Sequence, residues 1–144
     1  MPIASMIHVA GMVADVIEKF GWQVLHVCKH ESFVTSDFPI VGAQRQGKNQ
    51  MRLGVGFETP DSEFYFPLTS RTCLRMAADF NPMVGTVTSH NVRIVNDMEM
   101  RYSHRRIYAC KKSERIRTSF EKQFGAMRLG ETALVPMWEG KAMF

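Results

Sequence analysis

Phe33-Val34-Thr35-Ser36-Asp37-Phe38-Pro39-Ile40-Val41 is the stretch around which the predicted fold of this 144-residue sequence is arranged. Apolar, aromatic and β-branched residues, which are typical of strands, flank a polar Thr-Ser-Asp triplet. Pro39 disfavours helical backbone at the residue before it, so Phe38 stays extended. The stretch therefore predicts a strand, a sharp polar bend and a second strand, with the Asp37 carboxylate presented at the bend.

The rest of the chain predicts one α+β domain, a size that 144 residues support. Hydrophobic periodicity and turn residues predict helices at 3–20, 89–103 and 113–124, strands at 22–27, 51–58, 63–68, 72–76 and 106–110, and loops at 42–49 and 79–85. We expect a largely antiparallel sheet of about five to seven strands, with the three helices packed mainly on one face. Residues 1–124 form this domain, and 125–144, whose apolar residues show no clear period, form an irregular or docked tail.

The helix predicted at 3–20 is apolar on most of its circumference, with only a narrow polar stripe formed by Ser5, His8, Asp15 and Lys19. Such a helix is expected to be covered on most sides. Its cover comes either from this domain, from a homo-oligomer contact, or from a missing N-terminal segment that packs on the helix.

The helix predicted at 89–103 combines an apolar side with one unusual amide. Its inward positions include Val92, Val95 and Met98, and Asn96 lies next to them. A buried amide without hydrogen-bond partners costs about 1–3 kcal/mol. Asn96, if buried, is therefore expected to find hydrogen-bond partners.

Positive charge is concentrated in the last third of the sequence. The chain carries a formal net charge of +4, whereas residues 93–128 alone hold ten Lys or Arg against four acids. Such a segment can be a surface for nucleic acid or an acidic protein, although a solvated helix face is the more common origin of such a pattern. The residues predicted to contact phosphate or a partner are Arg101, His104, Arg105, Arg106, Lys111 and Lys112.

The cysteines and the first residues of the chain indicate in which cellular compartment the protein is expected. Cys28, Cys73 and Cys110 are far apart and form no metal-ligand spacing, which favours small buried thiols in a reducing environment. The first residues lack the basic start of a secretory signal, and His8 and Asp15 interrupt the apolar run before it reaches a membrane-spanning length. The prediction is a cytoplasmic protein without a membrane contact.

The Thr-Ser-Asp triplet has a chemical and a structural interpretation. In a hydrolase, Asp37 would be catalytic together with Ser36 and Thr35, and it would hold a divalent metal with Glu58 or Asp61, since metal-assisted phosphodiester cleavage needs clustered acidic oxygens. In the structural interpretation, Asp37 accepts backbone N–H bonds and stabilises the bend. The sequence carries no glycine-rich phosphate loop, nucleophile elbow or zincin motif, and no cofactor is evident.

Three segments together resemble a known family. Trp22 followed by the Thr-Ser-Asp-x-Pro element is similar to that family's tryptophan strand and bend. Tyr-Phe-Pro-Leu-Thr-Ser-Arg-Thr-Cys-Leu at 65–74 resembles its next block, a Phe-Pro-Leu-Ser-like corner that enters a strand. Residues 91–107, centred on Asn96 and continuing into Arg-Arg-Ile-Tyr at 105–108, resemble its closing helix and strand. The family is domain of unknown function 4238.

The resemblance covers roughly 21–116 and corresponds to the C-terminal half of the family's pattern. Members usually carry a polar residue where this chain has Phe38, and an upstream His-x-x-Pro-x-x-Tyr-Leu-like segment that this sequence does not contain. A truncated or split member is expected, in which a site built from both halves would be incomplete. The resemblance implies no established activity.

Two function classes follow from these observations. The first is a binding or regulatory module whose basic segment meets nucleic acid or an acidic partner, and this class is favoured. The alternative is a metal-dependent, nuclease-like hydrolase that uses Asp37. Whether the chain is an enzyme stays open at this point.

Overall fold

A mixed sheet forms the centre of the molecule. The computed structural model describes residues 3–27, 30–124, 126–129 and 134–136. Its helices are α1 (Ile3–Ile17), α2 (Ser89–Tyr102) and α3 (Glu114–Gln123). Its strands are β1 (Gly21–Val27), β2 (Thr35–Ser36), β3 (Val41–Gln46), β4 (Gln50–Leu53), β5 (Ser62–Pro67), β6 (Thr72–Ala77), β7 (Met83–Val87), β8 (Ile107–Tyr108) and β9 (Leu134–Pro136).

The strands form a seven-stranded sheet in the order β7-β1-β6-β5-β3-β4-β9 and a separate two-stranded ribbon of β2 and β8. The pair of β1 and β7 is parallel, and the other five pairs of the large sheet are antiparallel. With three helices, this architecture confirms the predicted α+β class.

Helix α2 covers one face of the sheet and supplies much of the core. Val92, Val95 and Met98 are fully buried and belong to one cluster with Leu25 and Tyr65 of the sheet. Thr88 caps the start of α2, because its hydroxyl accepts from the Asn91 N–H. Helix α3 packs against α2 rather than against the sheet.

Helix α1 is placed differently. None of its residues is buried, and Ile3 and Ile7 are 76% and 68% exposed. The expectation that this domain covers α1 on most sides is therefore wrong for the described residues. The expectation of a cover from another molecule or segment stays a prediction. No helix in the described ranges combines the length and apolar character that a membrane span requires.

Two predicted loops are wrong in part, because polar residues, proline and glycine do not by themselves exclude strand backbone. Residues 42–49 contain most of β3, and only 47–49 form the turn into β4, with Gly47 at a positive φ of 60°. The polar side chains of this hairpin bond to one another: the Arg52 guanidinium donates to Gln44 Oε1 at 2.9 Å. Residues 79–85 contain the start of β7, which runs parallel to β1 in the register Gln23–Met83.

Strand boundaries also differ in detail. The strand predicted at 51–58 ends at Leu53, because Gly54 takes a φ of 81° that ends the extended run. In the predicted tail, 126–129 form a 3-10 turn and β9 pairs with β4 at the edge of the sheet. Residues 125, 130–133 and 137–144 of that tail, and Cys28, lie outside the described residues.

Candidate functional site

The Asp37 carboxylate is bound by the chain that follows α2. Its Oδ1 accepts from the His104 N–H at 2.9 Å, and its Oδ2 accepts from the Arg105 N–H at 2.8 Å. The Asp37 N–H in turn donates to the Arg106 carbonyl at 3.2 Å. We call residues 104–106 the basic loop. Asp37 therefore fixes the backbone of the basic loop from 67 positions away in the sequence.

The short ribbon explains why these residues meet. Thr35 of β2 pairs with Tyr108 of β8, and Ser36 pairs with Ile107, so the next residue along, Asp37, faces the basic loop at the ribbon's end. Ser36 shapes the bend itself: its hydroxyl accepts from the Phe38 N–H at 3.0 Å and lies 2.9 Å from the Phe38 carbonyl. Ser36 is buried, Thr35 is half-buried and Asp37 is exposed.

The same contacts control the ionisation of Asp37. Desolvation acts to raise its pKa, but the backbone N–H bonds from the basic loop outweigh it and hold the pKa below the ordinary value. Asp37 is therefore a carboxylate throughout the neutral range. Both of its oxygens are already engaged by backbone donors, which agrees with the structural interpretation of the bend.

Helix α2 holds the other end of the Thr-Ser-Asp stretch. Asn96 Oδ1 accepts from the Val34 N–H at 2.9 Å, and its Nδ2 donates to the Ser32 carbonyl at 3.0 Å. Asn96 is buried, and the prediction that its amide finds hydrogen-bond partners is confirmed. The stretch is consequently fixed on both sides, by Asn96 before the bend and by the basic loop after it.

Glu99 is the residue of this site that the sequence analysis missed. It is fully buried, and neither carboxylate oxygen has a hydrogen-bond partner among the described residues. Burial raises its pKa to about 8, although the nearby Ser36 hydroxyl and N–H act in the opposite direction without reaching hydrogen-bond geometry. Its position three residues after Asn96, on the helix side that faces β2, is the sequence signal that would have found it.

The predicted basic residues divide into an exposed group and one half-buried residue. Arg101 is half-buried, and its Nε is enclosed without a partner among the described residues. The exposed members lie in the basic loop and in the turn after β8; they are His104, Arg105, Arg106, Lys111 and Lys112.

An aromatic platform lies beside the basic loop. The Phe38 ring is 42% exposed and stacks on Tyr102 at a centroid distance of 5.6 Å, with His104 5.7 Å away. Tyr102 is itself fixed, because its hydroxyl donates to the Gly42 carbonyl at 2.7 Å and accepts from the Gly54 N–H at 2.6 Å. The sequence identified Phe38 only as a departure from the polar residue usual in the family.

The carboxylates proposed for a metal do not form a cluster. Glu58 is exposed in the segment between β4 and β5, where it lines a groove beside α1. Asp61, in the turn before β5, has a positive φ of 56° and lies 3.9 Å from Arg45. Within the part of the chain that the structure describes, no three His, Cys, Asp or Glu side chains are grouped closely enough to hold an ion.

A cavity of about 310 Å³ lies where the three family segments meet, and residues 33–35, 67–70 and 108–110 line it. Cys110 is exposed beside this cavity, so the expectation of buried thiols holds for Cys73 but is wrong for Cys110. The Ser32 hydroxyl lowers the pKa of the Cys110 thiol, against the effect of desolvation, and Ser70 and Lys111 add to the lowering.

These features define an α+β domain whose polar bend is fixed between a helix and a basic loop. The chain belongs to the family described as protein of unknown function (DUF4238), whose model matches residues 2–113. Comparison with curated proteins and with solved structures gives no match.

Proposed function

We propose that this domain is a binding module and that its basic loop, together with Phe38, holds single-stranded nucleic acid. The observation that carries the proposal is the pair of hydrogen bonds from the His104 and Arg105 amides to Asp37. They fix the backbone of the basic loop, in which Arg105 and Arg106 are exposed and the His104 ring lies 5.7 Å from the partly exposed Phe38 ring.

Each part of this surface suits one part of the ligand. Arg105 and Arg106 supply the positive charge that phosphates attract, and Lys111 and Lys112 extend it beyond β8. Phe38 offers a ring on which a base stacks, and stacking of this kind tolerates any base. An acidic protein would use the charge without the ring, so the position of Phe38 favours nucleic acid over an acidic partner.

Asp37 acts in this proposal as a positioning residue. Its negative carboxylate offsets part of the positive charge of the basic loop. The same carboxylate holds the backbone of that loop in a single conformation. Pre-organising a loop reduces the entropy lost on binding. Asp37→Asn would leave two N–H donors facing a side-chain amide, and it is therefore expected to weaken binding although it removes a negative charge.

The first test uses fluorescence anisotropy with a labelled single-stranded oligonucleotide at several salt concentrations. Each phosphate contact contributes about 0.7 to the salt slope for single strands, so Arg105→Ala with Arg106→Ala should reduce the slope by about 1.4. The control, Lys48→Ala with Arg52→Ala, removes two exposed charges from the β3–β4 hairpin. Equal losses in both double variants would contradict a specific surface.

The second test separates nucleic acid from an acidic protein. Phe38→Leu keeps an apolar contact with Tyr102 but removes the stacking surface. Stacking is worth about 1–3 kcal/mol per base, so the oligonucleotide affinity should fall roughly 5- to 150-fold. The affinity for polyglutamate should not change. If polyglutamate competes as well as the oligonucleotide and Phe38→Leu affects neither, the partner is an acidic protein.

A metal-dependent hydrolase that uses Asp37 is the second candidate, supported by the exposure of that carboxylate beside His104. It predicts cleavage of the same oligonucleotide with Mg²⁺ or Mn²⁺, and loss of cleavage in a folded Asp37→Ala variant. It also predicts that these ions raise the melting temperature of the parent but not of the variant. Absence of cleavage and of a thermal shift in the parent would leave the binding module.

A further inference from the structure

Glu99 is the one buried acid at this site that the binding surface does not use. We propose that Glu99 is a protonation switch for the basic loop: as a neutral carboxyl it lets β2 pack against α2, and as a carboxylate it loosens that contact. The inference rests on the proposed function, because the switch regulates the same loop. The switch and the binding can nevertheless be measured separately.

The position of Glu99 supports this role. It lies in the last turn of α2, where the Ser103 N–H donates to its carbonyl at 3.0 Å, and α2 contacts β2 directly. Ser36, the residue next to its carboxyl, is also the residue immediately before Asp37. A movement of the Glu99 side chain therefore reaches the two hydrogen bonds that fix the basic loop through a single intervening residue.

Within the part of the chain that the structure describes, no cationic side chain lowers the pKa of Glu99. From β2 it faces the Ser36 hydroxyl and N–H, which are neutral dipoles. From β6 the titratable group that faces it is the Cys73 thiol, whose pKa is raised first by burial and further by a charge on Glu99. Arg93 of α2 and Arg115 of α3 both reach Glu31 instead. The C-terminal turn of a helix also disfavours negative charge.

The direction of the pH effect follows from the raised pKa. Burial raises the pKa of Glu99 from 4.5 to about 8, with Ser36 opposing, so the folded chain holds a proton there that the unfolded chain has released. The resulting stability is fully present below about pH 4.5 and is lost as the pH rises through about 8. Within that window the folding equilibrium constant falls by up to about tenfold per pH unit.

The proposed switch is tested by recording the chemical shift of the Ile107 methyl group by ¹³C NMR from pH 6 to 9.5. The affinity for the oligonucleotide is measured in the same buffers. Ile107 pairs with Ser36 across the ribbon, and Ile116 in α3 serves as the reference. The parent should show an Ile107 transition with a midpoint near pH 8 and a parallel loss of affinity. Glu99→Gln, which keeps the shape without the charge, should show neither, and its stability should vary less with pH.

A second variant covers the case in which Glu99→Gln does not fold. Ser36→Ala removes the hydroxyl that lowers the Glu99 pKa, so the Ile107 midpoint should move to higher pH. An Ile107 signal that is flat in the parent, or a transition unchanged in both variants, would overturn the switch. A normal Ile107 transition in a parent that binds no oligonucleotide at any pH would overturn the proposed function and keep the switch.

Discussion

The two longest helices of this molecule contrast in an unexpected way. Helix α1 has only three polar residues, Ser5, His8 and Asp15, yet none of its residues is buried. Helix α2 contains charged and amide residues throughout, yet eight of its residues are buried. The more apolar helix is the more exposed one. In this fold, the location of a helix relative to the sheet decides its burial, and composition alone does not.

The polar residues of α2 explain how a mixed helix is buried at acceptable cost. Buried polar groups are tolerated when they find hydrogen-bond partners. Asn96 does so through the backbone of residues 32 and 34. Glu99 does not find such partners among the described residues, and burial raises its pKa to about 8, against the lowering effect of Ser36. The polar side of α2 therefore binds the Thr-Ser-Asp stretch through Asn96 and also contains Glu99, the proposed switch.

Helix α1 presents the opposite case. With residues 56–60 it borders a largely apolar groove of about 490 Å³, lined on the helix side by Val9, Met12, Val13 and Val16. Contiguous exposed apolar surface of this kind is characteristic of an interaction surface. The expectation that a second copy of the chain or an N-terminal family segment covers α1 stays a prediction.

The largest expected difference between the helices is in the loss of unfolding free energy when a methionine is replaced by alanine. Met98 in α2 is fully buried, whereas Met12 in α1 is 53% exposed. Met98→Ala should lower the free energy of unfolding by about 2–5 kcal/mol, because it leaves a cavity in the core. Met12→Ala should change it by less than about 0.5 kcal/mol. Urea denaturation of both variants checks the comparison, and equal losses would mean that α1 is also part of the core.

A smaller difference is expected for the polar residues. Asn96→Ala leaves the Val34 N–H and the Ser32 carbonyl without their partner, which costs about 1–3 kcal/mol. The control, Ser5→Ala, removes an exposed hydroxyl from α1 and should have no measurable effect. Urea denaturation provides the free energies. If Asn96→Ala is as stable as the parent, water replaces the amide and α2 does not hold the stretch.

Elements that are determined by local sequence could be predicted, whereas elements that depend on contacts with distant residues could not. Hydrophobic periodicity predicted α2 at 89–103, close to its observed bounds Ser89–Tyr102, because this signal is local. The hairpin of β3 and β4 was missed, since its glutamine and arginine residues resemble a loop until their cross-strand partners are known. Strand β7 was missed because the backbone pairing that makes it a strand comes from β1, about 60 residues earlier.

For the candidate site around Asp37, the sequence likewise predicts local features but not the tertiary contacts. The sequence predicts that Asp37 lies at a bend and that Asn96 needs a partner, and both follow from the residue and its neighbours. It does not reveal that the His104 and Arg105 amides are the donors to Asp37, since that contact depends on the pairing of β2 with β8. The burial of Glu99 depends on the same tertiary contact.

The third prediction concerns how the stabilising effect of Asp37 changes at low pH. Desolvation acts to raise the pKa of Asp37, but the hydrogen bonds from backbone N–H groups hold that pKa below its ordinary value of 3.8. The Asp37 carboxylate therefore stabilises the fold above about pH 4, and this stabilisation is lost as the pH falls through the lowered pKa. Asp37→Asn should therefore melt at a lower temperature than the parent at pH 6, and this difference should shrink at pH 3. Asp15→Asn in α1 is the matched control, with no difference at either pH. A difference for Asp37→Asn that stays constant with pH would contradict the role of its charge.

The smallest expected effect on stability, and the sharpest test of α1, comes from Ile7→Ser combined with Met12→Ser. Both side chains are more than half exposed, so the free energy of unfolding should stay within about 1 kcal/mol of the parent. If α1 is a contact surface, the same variant should lower the solution mass measured by light scattering, or reduce the binding of an apolar dye to a monomer. A parent that is monomeric and binds no dye would contradict the contact. A large loss of stability without a change in mass would instead show that α1 belongs to the core, and the contrast between the two helices would disappear.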